Sequence, residues 1–175
     1  MDYCRAERLG ELFAQVVRIC LSEALVERVT SAEVTYSQFE TLHYVASHPL
    51  ATIGDLSEGL NISYPSATNM AIRLSKKGLL QKRGVKTDKR VVRLGLTETG
   101  QELVKLITSE RQMLITKLLN EMKEPERASF LKGMDSFVQI AVKSGACSPD
   151  RLCLACGTEA IDDCPLHVAG DFECK

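Results

Sequence analysis

Apolar residues recur at intervals of three and four along most of the chain up to residue 142, which is the period of amphipathic helices. The first helix is expected to bury one stripe, formed by Leu9, Leu12, Phe13, Val16, Cys20 and Ala24. A long helix after the middle of the chain carries Leu103, Leu106, Ile107, Leu114, Leu118 and Met122. A last helix begins near Pro125, a position where the missing N–H costs little. The pattern predicts a mainly α-helical protein.

Helix-capping signals mark two shorter helices between these long ones. Thr35 and Gln38 have the spacing of a capping box, and the helix that they open must end before Pro49. Thr52 is expected to cap the next helix, with Asp55 in its first turn complementing the helix dipole. The two helices follow each other closely, as neighbouring helices of a small domain do.

The segment from Ile53 to Gly100 predicts one supersecondary unit. In chain order it contains a short helix over 53–60, a tight turn over 61–63, a second helix over 64–77, a basic β-hairpin over 79–96 and a helix start at 97–100. The fold class is therefore mainly α with a small β-hairpin wing (α+β), a winged helix-turn-helix with long N- and C-terminal dimerisation helices. A helix carried on a turn can enter a DNA groove while the hairpin holds flanking phosphates. The predicted ligand is DNA.

Charge is distributed unevenly along the chain, in support of that interpretation. Residues 63–93 hold nine Lys or Arg and one acid, Asp88. The whole chain has 22 basic and 23 acidic residues, so the remaining 144 positions are strongly acidic. A basic element set in an acidic body is typical of a site for a polyanion.

Size and the first residues favour a soluble protein of the cytoplasm. A length of 175 residues suits one domain or one domain with a small appendage. No apolar run reaches the roughly 18 residues of a membrane span. Charged residues at Asp2, Arg5, Glu7 and Arg8 leave no apolar signal-peptide core. No membrane partner is expected.

The first and last helices carry more apolar surface than the small helix-turn-helix core can cover. The last one contains Phe130, Leu131, Met134, Phe137, Val138 and Ile140. A second copy of the chain is the simplest cover, and two-fold homodimers suit DNA readers with two half-sites; the alternative is that these helices fold onto their own core. The chain is therefore divided into an N-terminal dimerisation helix (1–34), a DNA-binding domain (35–100), C-terminal dimerisation helices (101–143) and a tail (144–175).

Three stretches resemble the MarR family of bacterial transcription regulators. They are residues 60–80, Asp88-Lys89-Arg90 in the hairpin, and Leu96-Thr97-Glu98-Thr99-Gly100. The resemblance spans roughly residues 7–143. It implies a dimeric winged-helix protein that represses transcription from a pseudo-palindromic operator in double-stranded DNA. In many members a small ligand or cysteine oxidation relieves the repression.

The resemblance and the residue chemistry together indicate a set of DNA-binding residues. Short polar side chains and backbone N–H groups at the start of the second helix suit phosphates, and Asn69 or Arg73 can read base edges. Arg90 resembles the family's minor-groove arginine at the hairpin tip, and Asp88 resembles the acid that orients it. The full set is Ser63, Pro65, Ser66, Thr68, Asn69, Arg73, Lys76, Lys86, Asp88, Lys89 and Arg90.

The tail from Ser144 to Lys175 departs from the family pattern. It contains five of the seven cysteines and one histidine, and its candidate metal ligands are Cys147, Cys153, Cys156, Cys164, His167 and Cys174. The spacing Cys153-x₂-Cys156-x₇-Cys164-x₂-His167 places two close ligand pairs on either side of a short loop. Two such pairs can fill the four corners of a tetrahedral metal ion.

Three alternatives remain open for these cysteines. Zinc would be bound by Cys153, Cys156, Cys164 and His167. An iron–sulfur cluster would use Cys147 in place of the histidine, although the spacing is not that of bacterial ferredoxins. Disulfides or redox-sensing thiols are the third alternative, with permanent bridges disfavoured in a reducing cytoplasm. Cys174 could replace His167 in either metal site.

Other functions have weaker sequence support. Cys153-Leu-Ala-Cys156 could be a dithiol oxidoreductase motif, but such motifs open a helix beside a parallel sheet, which the pattern does not predict. We therefore expect no enzyme. A metal-stabilised protein-interaction module without regulated DNA binding is the main alternative to a repressor. The family resemblance also suggests a small-molecule site near His43 and Tyr44, whereas a buried structural histidine is the simpler interpretation.

Overall fold

The computed structural model describes residues 3–31, 33–85, 88–148, 152 and 164–166, without the side chains of 83–85 and 88–92. Its elements are α1 (Tyr3–Gln15), a π-helical segment (Val16–Glu23), α2 (Ala24–Val29), α3 (Tyr36–Ser47), α4 (Ile53–Gly59), α5 (Tyr64–Lys76), β1 (Leu80–Val85), β2 (Asp88–Leu96), α6 (Glu98–Glu121) and α7 (Glu124–Lys143). This order confirms the predicted winged helix-turn-helix with long helices on either side.

Helix starts lie where the capping signals place them. The Thr35 hydroxyl accepts a hydrogen bond from the Gln38 amide, and the Gln38 side chain accepts one from the Thr35 amide, both at 3.3 Å. Thr52 and Asp55 form the same reciprocal pair at 3.2 and 2.8 Å. Thr97 caps α6 by accepting from the Gly100 amide at 3.1 Å. These local signals coincide with the helix boundaries. Thr97 also makes a distant contact, since its hydroxyl donates to the Gly78 carbonyl at 2.6 Å.

One hydrophobic core joins α3, α4, α5, the hairpin and the first turns of α6. Its most completely buried members are Leu42, Leu56, Ala67, Ala71, Leu74 and Ile107. Two alanines on the buried face of α5 allow that helix to lie close to its neighbours. The core fixes α5 relative to the hairpin, so the helix-turn-helix and the wing behave as one body.

The hairpin is antiparallel and is joined at its base to the segment before α4. Leu80 pairs with Leu96 and Gly84 with Val92, and the register shifts between Gly84 and Val85. The Leu94 amide donates to the Ala51 carbonyl at 2.8 Å. The base of the wing therefore has a third, very short strand, which anchors the hairpin to the core.

Gly100 lies where the chain turns from the hairpin into α6. A Cβ atom at this position would be 2.1 Å from the Leu79 carbonyl oxygen, a backbone atom that cannot move aside. The same carbonyl accepts a hydrogen bond from the Thr97 amide at 3.2 Å. Only glycine permits this close approach of the first turn of α6 to the start of the hairpin.

The predicted buried stripe on the first helix is wrong within a single chain. Leu12 and Phe13 are 60% and 46% exposed, and Cys20, which was expected to be buried, is exposed as well. A π-helical turn holds more residues than an α-helical turn, so the segment 16–23 rotates everything after it out of the α-helical register. The buried face therefore continues on Leu25 and Val26 instead of on Ala24.

The long helices outside the core are poorly covered by their own chain. Neither α1 nor α7 has a buried residue. The Phe13 and Phe130 rings meet edge to face at 5.8 Å between centroids, so α1 and α7 touch at this point. Among the described residues, no helix is long and apolar enough to cross a membrane.

Candidate nucleic-acid interface

Helix α5 presents a polar face to solvent at its N-terminal end. Ser63 caps the helix by accepting from the Ser66 amide at 3.3 Å, and Pro65 occupies the first turn. Six predicted DNA-binding residues are exposed, namely Ser63, Pro65, Ser66, Asn69, Arg73 and Lys76. Thr68 is half-buried, and its hydroxyl donates to the Tyr64 carbonyl at 2.9 Å. The Thr68 hydroxyl proton is therefore already used within the helix.

The turn between α4 and α5 holds the two helices at a fixed angle. Asn61 adopts a left-handed conformation with φ 51°, which asparagine tolerates better than most residues. The Ser57 hydroxyl donates to the Ile62 carbonyl at 2.6 Å, and the Ile62 amide donates to the Ser57 carbonyl at 3.0 Å. These two hydrogen bonds fix the turn, and the start of α5 that follows it is exposed to solvent.

Tyr44 braces α3 against α4. Its hydroxyl donates to the Asp55 carbonyl at 2.9 Å, and its ring stacks on His48 with 4.1 Å between centroids. A Cβ atom at Gly59 would be 2.1 Å from the Tyr44 ring, so the ring packs directly on the α4 backbone. This role was not predicted from the sequence. Tyr44 and Gly59 are 15 residues apart, so no local pattern indicates that they pack together.

His43 lies half-buried beside the Phe39 ring, with 5.7 Å between ring centroids. Burial lowers the pKa of His43, and the nearby Arg111 guanidinium and His48 lower it further. Arg111 also lies over the Phe39 ring at 5.9 Å. This arrangement favours a neutral structural histidine, and the suggested small-molecule site stays a prediction.

Lys77 and Arg93, whose side chains are both described, bind the protein's own backbone. The Lys77 ammonium donates to the Glu33 carbonyl and, at 3.0 Å, to the Gln38 side-chain oxygen. The Arg93 guanidinium donates to the Leu50 carbonyl at 3.0 Å. Both contacts join segments more than 35 residues apart in the chain, so a local sequence pattern could not reveal them.

Lys77 thereby connects α5 to the loop between α2 and α3. That loop is itself closed by Thr30, whose hydroxyl donates to the Val26 carbonyl at 2.8 Å and accepts from the Val34 amide at 3.2 Å. Ser31 has a left-handed φ of 50° in the same loop. We refer to the contacts of Lys77 with Glu33 and Gln38 as the Lys77 clasp.

The base of the hairpin lies beside α5, and the hairpin carries the remaining predicted contacts. Asp88, Lys89 and Arg90 begin β2, and their side chains lie outside the described part of the chain, as does the whole of Lys86. Near the base of the hairpin, Lys82 is exposed. An open groove runs between α5 and β1, lined by Ile72, Ser75, Lys76, Leu80, Gln81 and Lys82.

The tail is described only in part. Cys147 is exposed directly after α7, and Cys164 is half-buried beside Leu166, which is buried. Cys153, Cys156, His167 and Cys174 lie outside the described residues. Within 3–31, 33–85, 88–148, 152 and 164–166, no three metal-binding side chains form a cluster. The predicted metal site therefore stays a prediction.

Known proteins share this architecture. Residues 32–91 match the model of the MarR family. The chain is 26% identical over 101 residues to the HTH-type transcriptional regulator YsmB of Bacillus subtilis (strain 168), itself uncharacterised; the match covers 58% of the chain and 69% of YsmB.

Solved structures agree with that match. FabT of Streptococcus pneumoniae, solved in complex with DNA, superposes with a TM-score of 0.66 at 25% identity, over 79% of this chain and 96% of FabT. A MarR family protein from Bacillus stearothermophilus gives 0.65 at 23% identity, over 79% of this chain and 96% of its own. The shared fold includes the helix-turn-helix, the wing and the flanking helices. Over residues 32–91 the chain is similar to the MarR family, whose members are DNA-binding transcription regulators and not enzymes.

Proposed function

We propose that the protein is a dimeric repressor that binds a pseudo-palindromic operator through α5 and the wing. The observation that supports this most directly is the exposed face of α5, where polar and basic side chains project from a helix held rigidly by the core. Double-stranded DNA offers phosphates and base edges that match this chemistry. FabT, which shares the fold, has been solved bound to DNA. The cytoplasm, where such DNA lies, is the proposed compartment.

The proposed partner subunit is a second copy of the same chain. Two helices of 13 and 20 residues without a buried residue would expose a large apolar surface in an isolated chain. On α7, Phe137 and Ile140 are 75% and 66% exposed and lie on one side of the helix. Because closed two-fold symmetry covers the same surface on both subunits, one interface buries both copies of this face.

Selection from a random duplex library tests DNA recognition directly. The purified protein should enrich one sequence family with two related half-sites whose centres are about 34 Å apart, one helical turn of DNA. The protein-interaction alternative predicts that no sequence is enriched. It also predicts that the protein binds DNA only weakly and that this binding changes little with salt concentration. Enrichment of a site without two-fold symmetry would contradict the dimeric arrangement but not DNA binding.

We further propose that the cysteine-rich tail binds zinc. Loss of the metal, or oxidation of the tail cysteines, then changes the affinity for the operator. The described part of the tail is joined to α7, since the Cys147 amide donates to the Ala141 carbonyl at 3.2 Å. A metal bound by the cysteines that follow Cys147 in the sequence would therefore act close to the end of a helix that the proposed dimer uses. Zinc prefers four cysteine or histidine ligands, which the sequence supplies. An iron–sulfur cluster on four thiolates is the alternative.

Protein purified without oxygen should be colourless and contain about one zinc per chain. Replacing Cys156 with serine should remove the zinc and change operator affinity, whereas Cys20→Ser, a cysteine of the N-terminal helices, should leave the zinc content unchanged. Elemental analysis and a binding titration make the two measurements. A brown preparation with iron and sulfide would support the cluster instead, and identical affinity for loaded and stripped dimer would contradict sensing.

A further inference from the structure

Ile72 is an apolar residue on the otherwise polar side of α5. Its side chain is 39% exposed, while the core face of the helix is completed by Ala67, Ala71 and Leu74, which are fully buried. Asn69 lies three residues before it and Lys76 four residues after it, so all three occupy one side of the helix. Ile72 is therefore surrounded by the residues that the proposed function assigns to DNA.

Neither helix formation nor core packing accounts for isoleucine at this position. A β-branched side chain has lower helix propensity than Lys, Gln, Glu or Ala, any of which could occupy an exposed position. The core around α5 is already closed by Leu74 and Leu80, which are 0% and 2% exposed. Ile72 is not part of the core, and the exposed part of its side chain can gain contacts only from something outside this chain.

The surroundings of Ile72 have the charge pattern of a DNA-facing groove. Ile72 and the largely buried Leu80 contribute its apolar part, between α5 and β1. Lys76 and Lys82 are exposed on the two sides of this groove. Cations on either side of a small apolar surface suit a nucleotide, because its phosphates are charged and a thymine carries one methyl group.

We propose that Ile72 is a specificity-determining residue that contacts the C5 methyl of one thymine in each half-site. This inference depends on the proposed DNA-binding function. Thymine is the only base with an apolar group at its major-groove edge, and isoleucine has no donor or acceptor with which to read another base. Lys76 and Lys82 bind the phosphates on the two sides of that contact and contribute affinity without base preference.

Deoxyuridine provides the test, because it differs from thymidine only by the missing methyl. In the duplex selected from the random library, each thymine is replaced singly by deoxyuridine, and Kd is measured at one salt concentration. For the wild-type protein, one position per half-site should bind about fourfold more weakly, the effect of burying one methyl. Replacement in both half-sites should weaken binding about fifteenfold, as expected if the two contacts are independent.

Variants of residue 72 make the test specific. Ile72→Ala should lose affinity for the thymine duplex and become indifferent to deoxyuridine at the same position. Ile72→Val retains a branched side chain and should keep most of the discrimination. Lys76→Ala is the matched control and should weaken thymine and uracil duplexes by the same factor. Thermal unfolding should show that all three variants remain folded, since residues 72 and 76 lie outside the core.

Two outcomes overturn the inference in distinguishable ways. The methyl contact is wrong if each deoxyuridine replacement changes Kd by the same factor for the wild type and for Ile72→Ala. It is also wrong if the selected half-site contains no thymine whose replacement weakens binding. DNA binding itself stands in both cases. If no duplex is enriched, the proposed function itself fails, and the contact fails with it.

Discussion

Replacing Phe137 with glutamate will convert the protein to monomers and lower operator affinity by about a thousandfold. This factor is the lower end of the ratio between specific and non-specific affinity for DNA. Phe137 is the most exposed large apolar residue on α7. In the proposed dimer its ring is buried against the second copy, where an unpaired carboxylate is strongly unfavourable. A monomer presents one copy of α5 and loses the second half-site. Light scattering gives the oligomeric state, and fluorescence anisotropy gives the affinity.

Lys132→Glu is the matched control on the same helix. It makes a larger change of charge at an exposed position, five residues away and about 140° around the helix. This variant should remain dimeric and bind the operator nearly as well as the wild type. A dimeric Phe137→Glu variant with unchanged affinity would show that the α7 face does not form the interface.

Operator affinity will fall by about 10³–10⁵ between 50 and 200 mM salt, if the dimer neutralises on the order of 6–10 phosphates. Arg73, Lys76 and Lys82 are exposed around α5 and the base of the wing, while the Lys77 clasp and Arg93 are occupied within the chain. The count of available cations is therefore lower than the sequence alone suggests. Titrations at four or more salt concentrations give the slope.

Arg90→Ala identifies the contribution of the wing to that salt dependence. The variant should bind more weakly and should reduce the slope by about one for each phosphate contact that is lost in the dimer. Thermal unfolding of the variant should match that of the wild type. If the salt dependence and the affinity equal those of the wild type, the wing does not contribute to the interface through Arg90, and α5 is its main element.

Features specified by neighbouring residues were predictable from the sequence. The capping boxes at Thr35 and Thr52 and the order of helices, turn and hairpin are as expected, because each depends on contacts within a few residues. The polar residues of α5 also predicted that this side of the helix is exposed. Local chemistry was therefore sufficient for the fold class, and DNA contact by these residues stays a prediction.

Features that depend on register or on distant contacts were not predictable. The π-helical segment shifts the apolar stripe so that Leu25 and Val26, and not Ala24, are buried. Lys77 is one of the nine basic residues of the segment 63–93, yet it binds a carbonyl 44 residues away. Cys20 was expected to be buried, but the apolar face to which it belongs is not covered within one chain. Neither the change of helical register nor the distant partners can be read from the spacing of apolar residues.

The Lys77 clasp lies at the end of α5 that is farthest from Ser63, about 20 Å away along the helix. Because the core holds α5, the hairpin and the start of α6 together, a movement of the loop between α2 and α3 would pass through the clasp to that whole body and not to α5 alone. In the proposed dimer, such a movement would change the distance between the two copies of α5. Regulation would then act on the match between that distance and the spacing of the half-sites, and leave the contacting side chains unchanged.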